Sequence, residues 1–434
     1  MEKEANNQTK WYETMTVKMI LLGIMAIMFL IPLQLIKMVI LERESNSEAV
    51  KNEISENWGK KQTLSGPVLN VPVYRIPDNS KPGPELNRKT WHILPEELII
   101  EGSINPEIRY KGIYEAVIYE SELLVKGYFD LPDEPENYKA LWDEAYISMG
   151  ISDNRGLKNS VTLSLDNINI SAEPGLPEND LFSSGISFPV LPGKESTLLP
   201  FEIHFGLKGS EGMYFTPVGK NTSVKISSDW TSPSFSGHFL PEKREISKDG
   251  FSAHWNITHL NRNFPLQWLG PVHEIESEAF GVDMILEVDH YQKSERSSKY
   301  GLLFIAFTFM VLIFMELSSE KRIHIFSYFL VSLALVLFFS LLNSLSEQIG
   351  FNLAYILAAL ATVALITAFS GSIMKTRRAY FVTGGLLSGL YLFLYFLLAL
   401  NEYAYLAGNI GLFIGLASVM WITSRTEIFK KNEF

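Results

Sequence analysis

The feature that most constrains this chain is the segregation of its apolar residues. A mean hydropathy of +0.09 averages over two unlike kinds of sequence. From Gly301 onward Leu, Phe, Ala, Ile and Val dominate, and Met19–Ile36 is a second apolar run with no charge and one amide, Gln34. Between them, Glu42–Ser298 has the Pro, Gly, Ser and Asn content of an ordinary soluble domain. Runs of about 20 apolar residues are the length a helix needs to cross a bilayer, so the chain reads as a multi-domain membrane protein.

Met19–Ile36 reads as an uncleaved N-terminal anchor. The alternative is a cleaved signal peptide, since Lys10 and Lys18 precede the run. The run is long for that role, and no small-x-small cleavage site follows it. Pro32 predicts a kink within it. The C-terminal part divides into five spans: Tyr300–Leu317, Ile325–Leu342, Leu353–Met374, Tyr380–Leu400 and Tyr403–Ile422. Gly385 with Gly389, and Gly411 with Gly415, have the small-xxx-small spacing of close helix packing.

Charge sets the expected orientation. The N-terminal Lys3, Lys10 and Lys18, the connections holding Lys321, Arg322, Lys375, Arg377 and Arg378, and the tail residues Arg425, Lys430 and Lys431 give 11 basic residues on one side. The opposite short loops, Asn343–Asn352 and Asn401–Glu402, have none. The positive-inside rule then predicts cytoplasmic termini and an extracytoplasmic central domain. The predicted divisions are a cytoplasmic tail (1–18), an anchor (19–41), a periplasmic β-rich domain (42–299), a five-helix membrane domain (300–422) and a second cytoplasmic tail (423–434).

The central region holds 24 Lys/Arg against 39 Asp/Glu. Such an acidic domain repels phosphate backbones, which argues against nucleic acid as a partner. The chain has no cysteine, so thiol catalysis, thiolate metal sites and disulfides are excluded. Val50, Ile54 and Trp58 lie at four-residue spacing, predicting that the anchor helix continues outward as an amphipathic segment. Short alternating runs follow: Val68–Tyr74, Tyr114–Phe129, Val161–Ile170, Leu198–Leu207, Val224–Ser228, Phe251–Ile257 and Met284–Val288. They predict a large, mainly antiparallel β region, either one sandwich or two smaller β units. Ala140–Met149 has the propensity of a local helix.

The sequence offers little chemistry. None of the eight histidines sits in a metal motif, and His254 and His259, five apart, fall on opposite faces of a strand. Asp283, Glu287 and Asp289 with Glu274, Glu276 and Glu278 form an acidic run that reads as a solvated edge or, less simply, a cation site. Asp153–Gly156 is a turn, with Arg155 as an ion-pair partner. There is no phosphate loop, nucleophile elbow or His-Glu-x-x-His. Within the spans, Glu316 near one end and the amide of Asn409 are the polar exceptions, unlike the mid-membrane charges of ion-coupled transporters. No cofactor or metal is expected.

One stretch is more specific: Trp230-Thr-Ser-Pro-Ser-Phe-Ser-Gly-His-Phe-Leu-Pro241, running to Ile246 and followed by Gly250-Phe-Ser-Ala-His-Trp255. It resembles the signature of the CreD family of bacterial inner-membrane, cell-envelope integrity proteins. Ile31-Pro32, Ser65-Gly-Pro67, Gly112-Ile-Tyr114, Lys299-Tyr-Gly-Leu-Leu303 and Leu345-Ser-Glu347 agree with that family in order, so the resemblance covers almost the whole chain. It implies an inner-membrane location and a role in envelope integrity and cell-wall stress, and it brings no catalytic residues.

The expected function is therefore a non-enzymatic envelope protein whose outer domain binds an envelope protein or cell-wall component, with membrane lipids around its helices. The alternative is a transporter or channel for an envelope component. Trp230, Phe235, Phe239 and Trp255 are most simply core aromatics of a hairpin. Together with Arg244 they also mark the surface where a partner or ligand site is expected.

Overall fold

In a computed structural model of the chain, the described residues are 15–76, 88–166, 168–192, 198–286, 290–317 and 322–399, with 406, 408–410, 413, 417 and 420 beyond them. They form two compact units. One is Ser47–Glu287; the other combines Met1–Asn46 with Val288–Phe434.

The N-terminal run is helical as read. Helix α1 (Met15–Met28) is followed, after the single residue Phe29, by α2 (Leu30–Trp58). Pro32 sits in the first turn of α2, where its missing N–H cannot bond the carbonyl of Met28, so the interruption falls just upstream of it. The C-terminal end of α2 buries Ser47 and Ser55, with Val50, Ile54 and Trp58 half-buried along the same stripe. The expected amphipathic continuation is therefore present.

Eighteen strands follow among the described residues. In the first half they are β1 (Gln62–Arg75), β2 (Arg88–Ile93), β3 (Glu97–Lys111), β4 (Tyr114–Asp130), β5 (Tyr138–Ala140), β6 (Tyr146–Ile151), β7 (Thr162–Leu165), β8 (Ile168–Ser171) and β9 (Glu173–Pro174). The second half holds β10 (Gly185–Pro189), β11 (Leu198–Ser210), β12 (Gly212–Phe215), β13 (Asn221–Ser228), β14 (Pro233–Gly237), β15 (Lys243–Ser247), β16 (Gly250–Thr258), β17 (Gln267–Leu269) and β18 (Phe280–Met284).

They make two sheets. The ten-stranded sheet runs β14-β18-β12-β1-β6-β10-β9, with β2 and β5 also on β1 and β17 on β2. The eight-stranded sheet runs β15-β16-β13-β3-β4-β11-β7-β8. Pairing is antiparallel except β1 with β12 and β3 with β13. Alternation of buried and exposed residues is clean in β11, where Leu199, Phe201, Ile203 and Phe205 turn inward and Glu202 and His204 outward. Val71, Trp91, Ile147 and Phe188 of one sheet share a single core with Ile100, Val125, Ile203 and Trp255 of the other. The two sheets thus pack as one sandwich, not as two β units.

Three sequence expectations need correction. Ala140–Met149 is not a helix. Its core is β6, six buried residues bonded on both sides to β1 and β10, and a 3-10 turn at Trp142–Glu144 is the only helical trace there. Two-sided pairing and burial override local propensity. Val161–Ile170 is a hairpin of β7 and β8 rather than one strand, turning where Asp166 takes a positive φ of 49°. The last expected strand, Met284–Val288, is displaced: β18 ends at Met284, because Phe280, Val282 and Met284 supply the alternating inward face. Residues 287 and 288 lie outside the described ones.

The compact β unit spans Ser47–Glu287. His290–Lys299 forms helix α3, which packs on the apolar helices α4 (Gly301–Leu317) and α5 (Ile325–Ile349), on α6 (Phe351–Met374) and on α7 (Arg377–Ala399). Four helices among the described residues are long and apolar enough to cross a membrane: Val17–Trp58, Ile325–Ile349, Phe351–Met374 and Tyr380–Ala399. Tyr291–Lys299 and Gly301–Ile313, joined across a 45° bend, make a fifth if the pair is one span. The span expected at Tyr403–Ile422 lies almost wholly outside the described residues, as do Gly411 and Gly415.

The core of this unit is aromatic. Phe338 packs on Phe339, Tyr355 and Tyr391, with ring centroids 4.7–5.7 Å apart, and Phe304 packs on Tyr391 at 5.2 Å. A recess is lined by Leu312, Met315, Ile323, Val331, Ile373 and Met374. Among the described residues Gly385 and Gly389 mark no helix contact, since a Cβ built at either meets nothing there within 4 Å. Close approaches among the described residues are at Gly301, against Leu33, at Gly371, under the Tyr380 ring, and at Gly384, beside Thr367.

Charges lie toward the ends of the apolar helices. Lys18 on α1 contacts Glu316 on α4 at 2.5 Å and the carbonyl of Ile323 at 2.6 Å, and the Tyr328 hydroxyl donates to Glu316 at 3.0 Å. Lys37 reaches Glu295 at 3.1 Å, and Arg43 lies 3.9 Å from Glu347. Lys18 and Lys37 are separated by about 28 Å of helical rise, close to the roughly 30 Å of a hydrocarbon core.

Candidate functional site

The stretch from Trp230 to Trp255 links the free edges of the two sheets. β14 is the outer strand of the ten-stranded sheet and β15 that of the eight-stranded one, and residues 238–242 cross between them. The chain then turns at Gly250, whose φ of +126° and approach to the Ser228 carbonyl leave no room for a Cβ, and β16 returns into the sheet.

The aromatic residues separate by role. Trp255 is 1% exposed, and its indole N–H donates to the carbonyl of Phe239 at 3.2 Å. Phe235 packs against Trp255 at 5.8 Å and Phe251 at 5.7 Å, while Phe239 and Trp255 meet Phe280 at 5.9 and 5.6 Å. This is core packing with edge-on geometry, not a stacking platform. Trp230 is half-buried and donates to the carbonyls of Ser232 and Ile285 at 3.2 and 3.3 Å. Arg244 stands on β15, whose five residues are all exposed, and exposed Leu240 and Ile246 flank it. The structure therefore brings Phe235, Phe239 and Trp255 into ring contact, places Trp230 at the margin of the same core and leaves Arg244 exposed on the edge strand.

Strand alternation puts the opposite side of β14 to another use. With Phe235 facing the core, Ser236 points out and donates to Asp283 at 2.8 Å. Asp283 also accepts from the Tyr214 hydroxyl at 2.6 Å and from Lys61 at 2.8 Å, and Ser236 and Tyr214 bond each other. Burial works against charge on both Lys61 and Asp283. Their mutual bonds and those from Tyr214 outweigh it, raising Lys61 and lowering Asp283 from their ordinary values. Both stay ionised near neutral pH, so Asp283 is a poor base and Lys61 a poor nucleophile for Ser236 chemistry. The arrangement ties the residue that leads into β1 to β12, β14 and β18.

The acidic run expected around Asp283 does not assemble a cation site among the described residues. The Asp283 carboxylate is taken by its donors, and Glu278 accepts from Asn263 at 2.8 Å. No three His, Asp or Glu side chains there are placed to hold a metal ion; Glu287 and Asp289 lie outside the described residues. His254 bonds Ser223 at 3.0 Å, and His259 opens a 3-10 turn. Arg155 pairs with Asp153 at 2.8 Å in the Asp153–Gly156 turn, as expected from the sequence.

Sequence reasoning missed a polar box on the outer face of the ten-stranded sheet. Register places Asn70 of β1 beside His92 of β2 and Tyr146 of β6, with Ser148 next to them and Trp268 of β17 opposite His92. Asn70 donates to Ser148 at 2.7 Å and to the carbonyl of Val68 at 3.0 Å. Its amide oxygen faces His92 Nδ1 at 2.7 Å. The loop 175–184 straps this floor, its root closed by Gly175 N–H to the Gly185 carbonyl at 3.2 Å. Thr90 donates to Glu178, and the Phe182 ring covers Gly150, where a Cβ would come within 2.6 Å of it. The available signal was polar residues at alternate positions of otherwise apolar strands, Asn70 and His92 above all.

Comparison with known proteins agrees with this architecture. The family model described as "Inner membrane protein CreD" matches residues 14–428. The Escherichia coli (strain K12) protein of the same description is 30% identical over 412 residues, covering 92% of this chain and 91% of the relative. The match runs through the apolar helices and the β sandwich alike, and the chain belongs to the CreD family of inner membrane proteins.

Proposed function

We propose that this chain is a multi-pass protein of the bacterial inner membrane, with six spans, cytoplasmic termini and the β sandwich on the periplasmic side. The sandwich supports envelope integrity under stress by binding an envelope protein or cell-wall component, and it performs no chemistry of its own. Membership of a family of inner membrane proteins supports the membrane location. The 11-to-0 basic asymmetry supplies the orientation, and the two layers of ion pairs about 28 Å apart are what a spanning bundle requires.

The observation that carries the binding reading is the 238–247 crossing. It joins two free sheet edges and is exposed along β15, with Leu240, Arg244 and Ile246 outward, while the neighbouring aromatics are committed to the core. A strand edge with open backbone groups is a surface that partners use, and charges on it limit unspecific pairing. The transporter reading is the weaker one, because the interior of the apolar unit is packed with Phe and Tyr rings and its described ion pairs lie toward the helix ends.

Photocrosslinking in intact cells from positions 238–247, with captured species identified by mass, tests the reading. The expected result is one recurring envelope protein or cell-wall fragment captured from these positions and not from Lys225 on the exposed face of β13. Equal, unspecific capture from both places contradicts it.

A further inference from the structure

The polar box under the 175–184 strap holds an unmatched pair of atoms. Asn70 points its amide nitrogen at the carbonyls of Val68 and Tyr146, which only accept, so its oxygen must face His92 and His92 Nδ1 must carry the hydrogen. In the neutral ring Nε2 is then a bare lone pair. It is buried, in a residue 1% exposed, and has no hydrogen-bond partner among the described residues. Aimed at it from the strap is Asp180 Oδ2, 3.6 Å away. Two acceptors facing each other at this distance repel, and one added proton turns them into a donor and an acceptor.

We propose that His92 and Asp180 bind a single proton between them, and that this proton fastens the 175–184 strap over the polar floor of the sheet. The neighbours leave that role open. From the strap itself Glu178 faces the site and accepts from Thr90; from β2 Arg88 is engaged by Glu144 at 2.7 Å. Tyr146 of β6 lies near both strap carboxylates, and beyond Trp268, which packs on the His92 ring at 5.5 Å, stands His273. None of these groups supplies a hydrogen to His92 Nε2. Burial alone pushes His92 down to about 4, and burial followed by the charge of Glu178 pushes Asp180 up. Each group resists charge singly, and the shared proton relieves both.

The strap is otherwise held by the Gly175–Gly185 bond, the Ile151 N–H on the Ser184 carbonyl, Phe182 on Gly150, Leu176 and Leu181 against the core and the Thr90–Glu178 bond, and fastening at Asp180 adds a further polar tie at mid-loop. With the proton bound the strap lies closed over Asn70 and Ser148. Without it, the middle of the strap is released. The inference stands on this geometry within the β unit and does not depend on which side of the membrane the unit faces.

Hydrogen exchange of the full-length protein in detergent, followed by mass spectrometry and corrected for intrinsic exchange, tests it between pH 4 and 8. Protection of peptides covering 175–184 is expected to rise roughly tenfold on acidification, the worth of one charge-assisted bond. Asp180→Asn gives the strap its own N–H donor for His92 Nε2 and is expected to be protected at every pH. Asp180→Ala is expected to be unprotected at every pH. Peptides from β1 and β6 serve as the check that each variant is folded. Strap protection that does not change with pH in the natural protein overturns the proposal, as does Asp180→Asn behaving like Asp180→Ala.

Discussion

At the scale of residues, the family signature is mostly a packing device. Trp255 is buried among Phe235, Phe239 and Phe280, so Trp255→Ala removes a full indole from the core and is expected to cost the β unit about 3–5 kcal/mol. Arg244→Ala on the exposed edge is expected to stay within about 0.5 kcal/mol. Urea unfolding monitored on the β unit separates the two; similar losses for both would contradict the division between core and surface. Lys61 and Asp283 add a modest, half-exposed tie. Its contribution is lost at acid pH as Asp283, held below its ordinary value, takes up a proton, and at alkaline pH as Lys61, held above its ordinary value, gives one up. The aromatics were legible as core residues because they are large and apolar. His92 was not, because its place depends on registers that join β2 to β1 and to β17 across the sheet.

At the scale of elements, the sequence was most legible where period and burial agree. The long apolar runs and the alternation of β4 and β11 left little choice of structure. It was least legible at β6, where a segment of helical propensity is claimed by strands on both sides, and at Gly385 and Gly389, where spacing suggested a contact that the described helices do not make. The link between α1 and α4 shows what spacing cannot reveal: Lys18 and Glu316, 298 positions apart, meet in a buried pair. Glu316→Gln takes the opposite charge from a Lys18 whose other described partners are the Ile323 carbonyl and the Tyr328 ring, and is expected to cost about 3 kcal/mol. The double variant Lys18→Met with Glu316→Leu is expected to recover most of that loss. Thermal unfolding in detergent reads both, and additive losses in the double variant would show that the two residues do not act as a pair.

At the scale of the molecule, membership of the CreD family and the apolar helices make this a membrane protein with a large β sandwich. The orientation is the step on which the rest of the functional account stands. A binding surface at 238–247 can serve the envelope only from the outer side. The absence of cysteine makes that step directly measurable, since a single introduced thiol is the only one in the chain. Glu245→Cys lies on exposed β15 and Arg377→Cys at the exposed start of α7, in the basic connection after α6. In intact spheroplasts, a membrane-impermeant maleimide is predicted to label Cys introduced at position 245 and to label position 377 only after the membrane is opened. Labelling of position 377 with protection of position 245 would invert the topology and contradict the account.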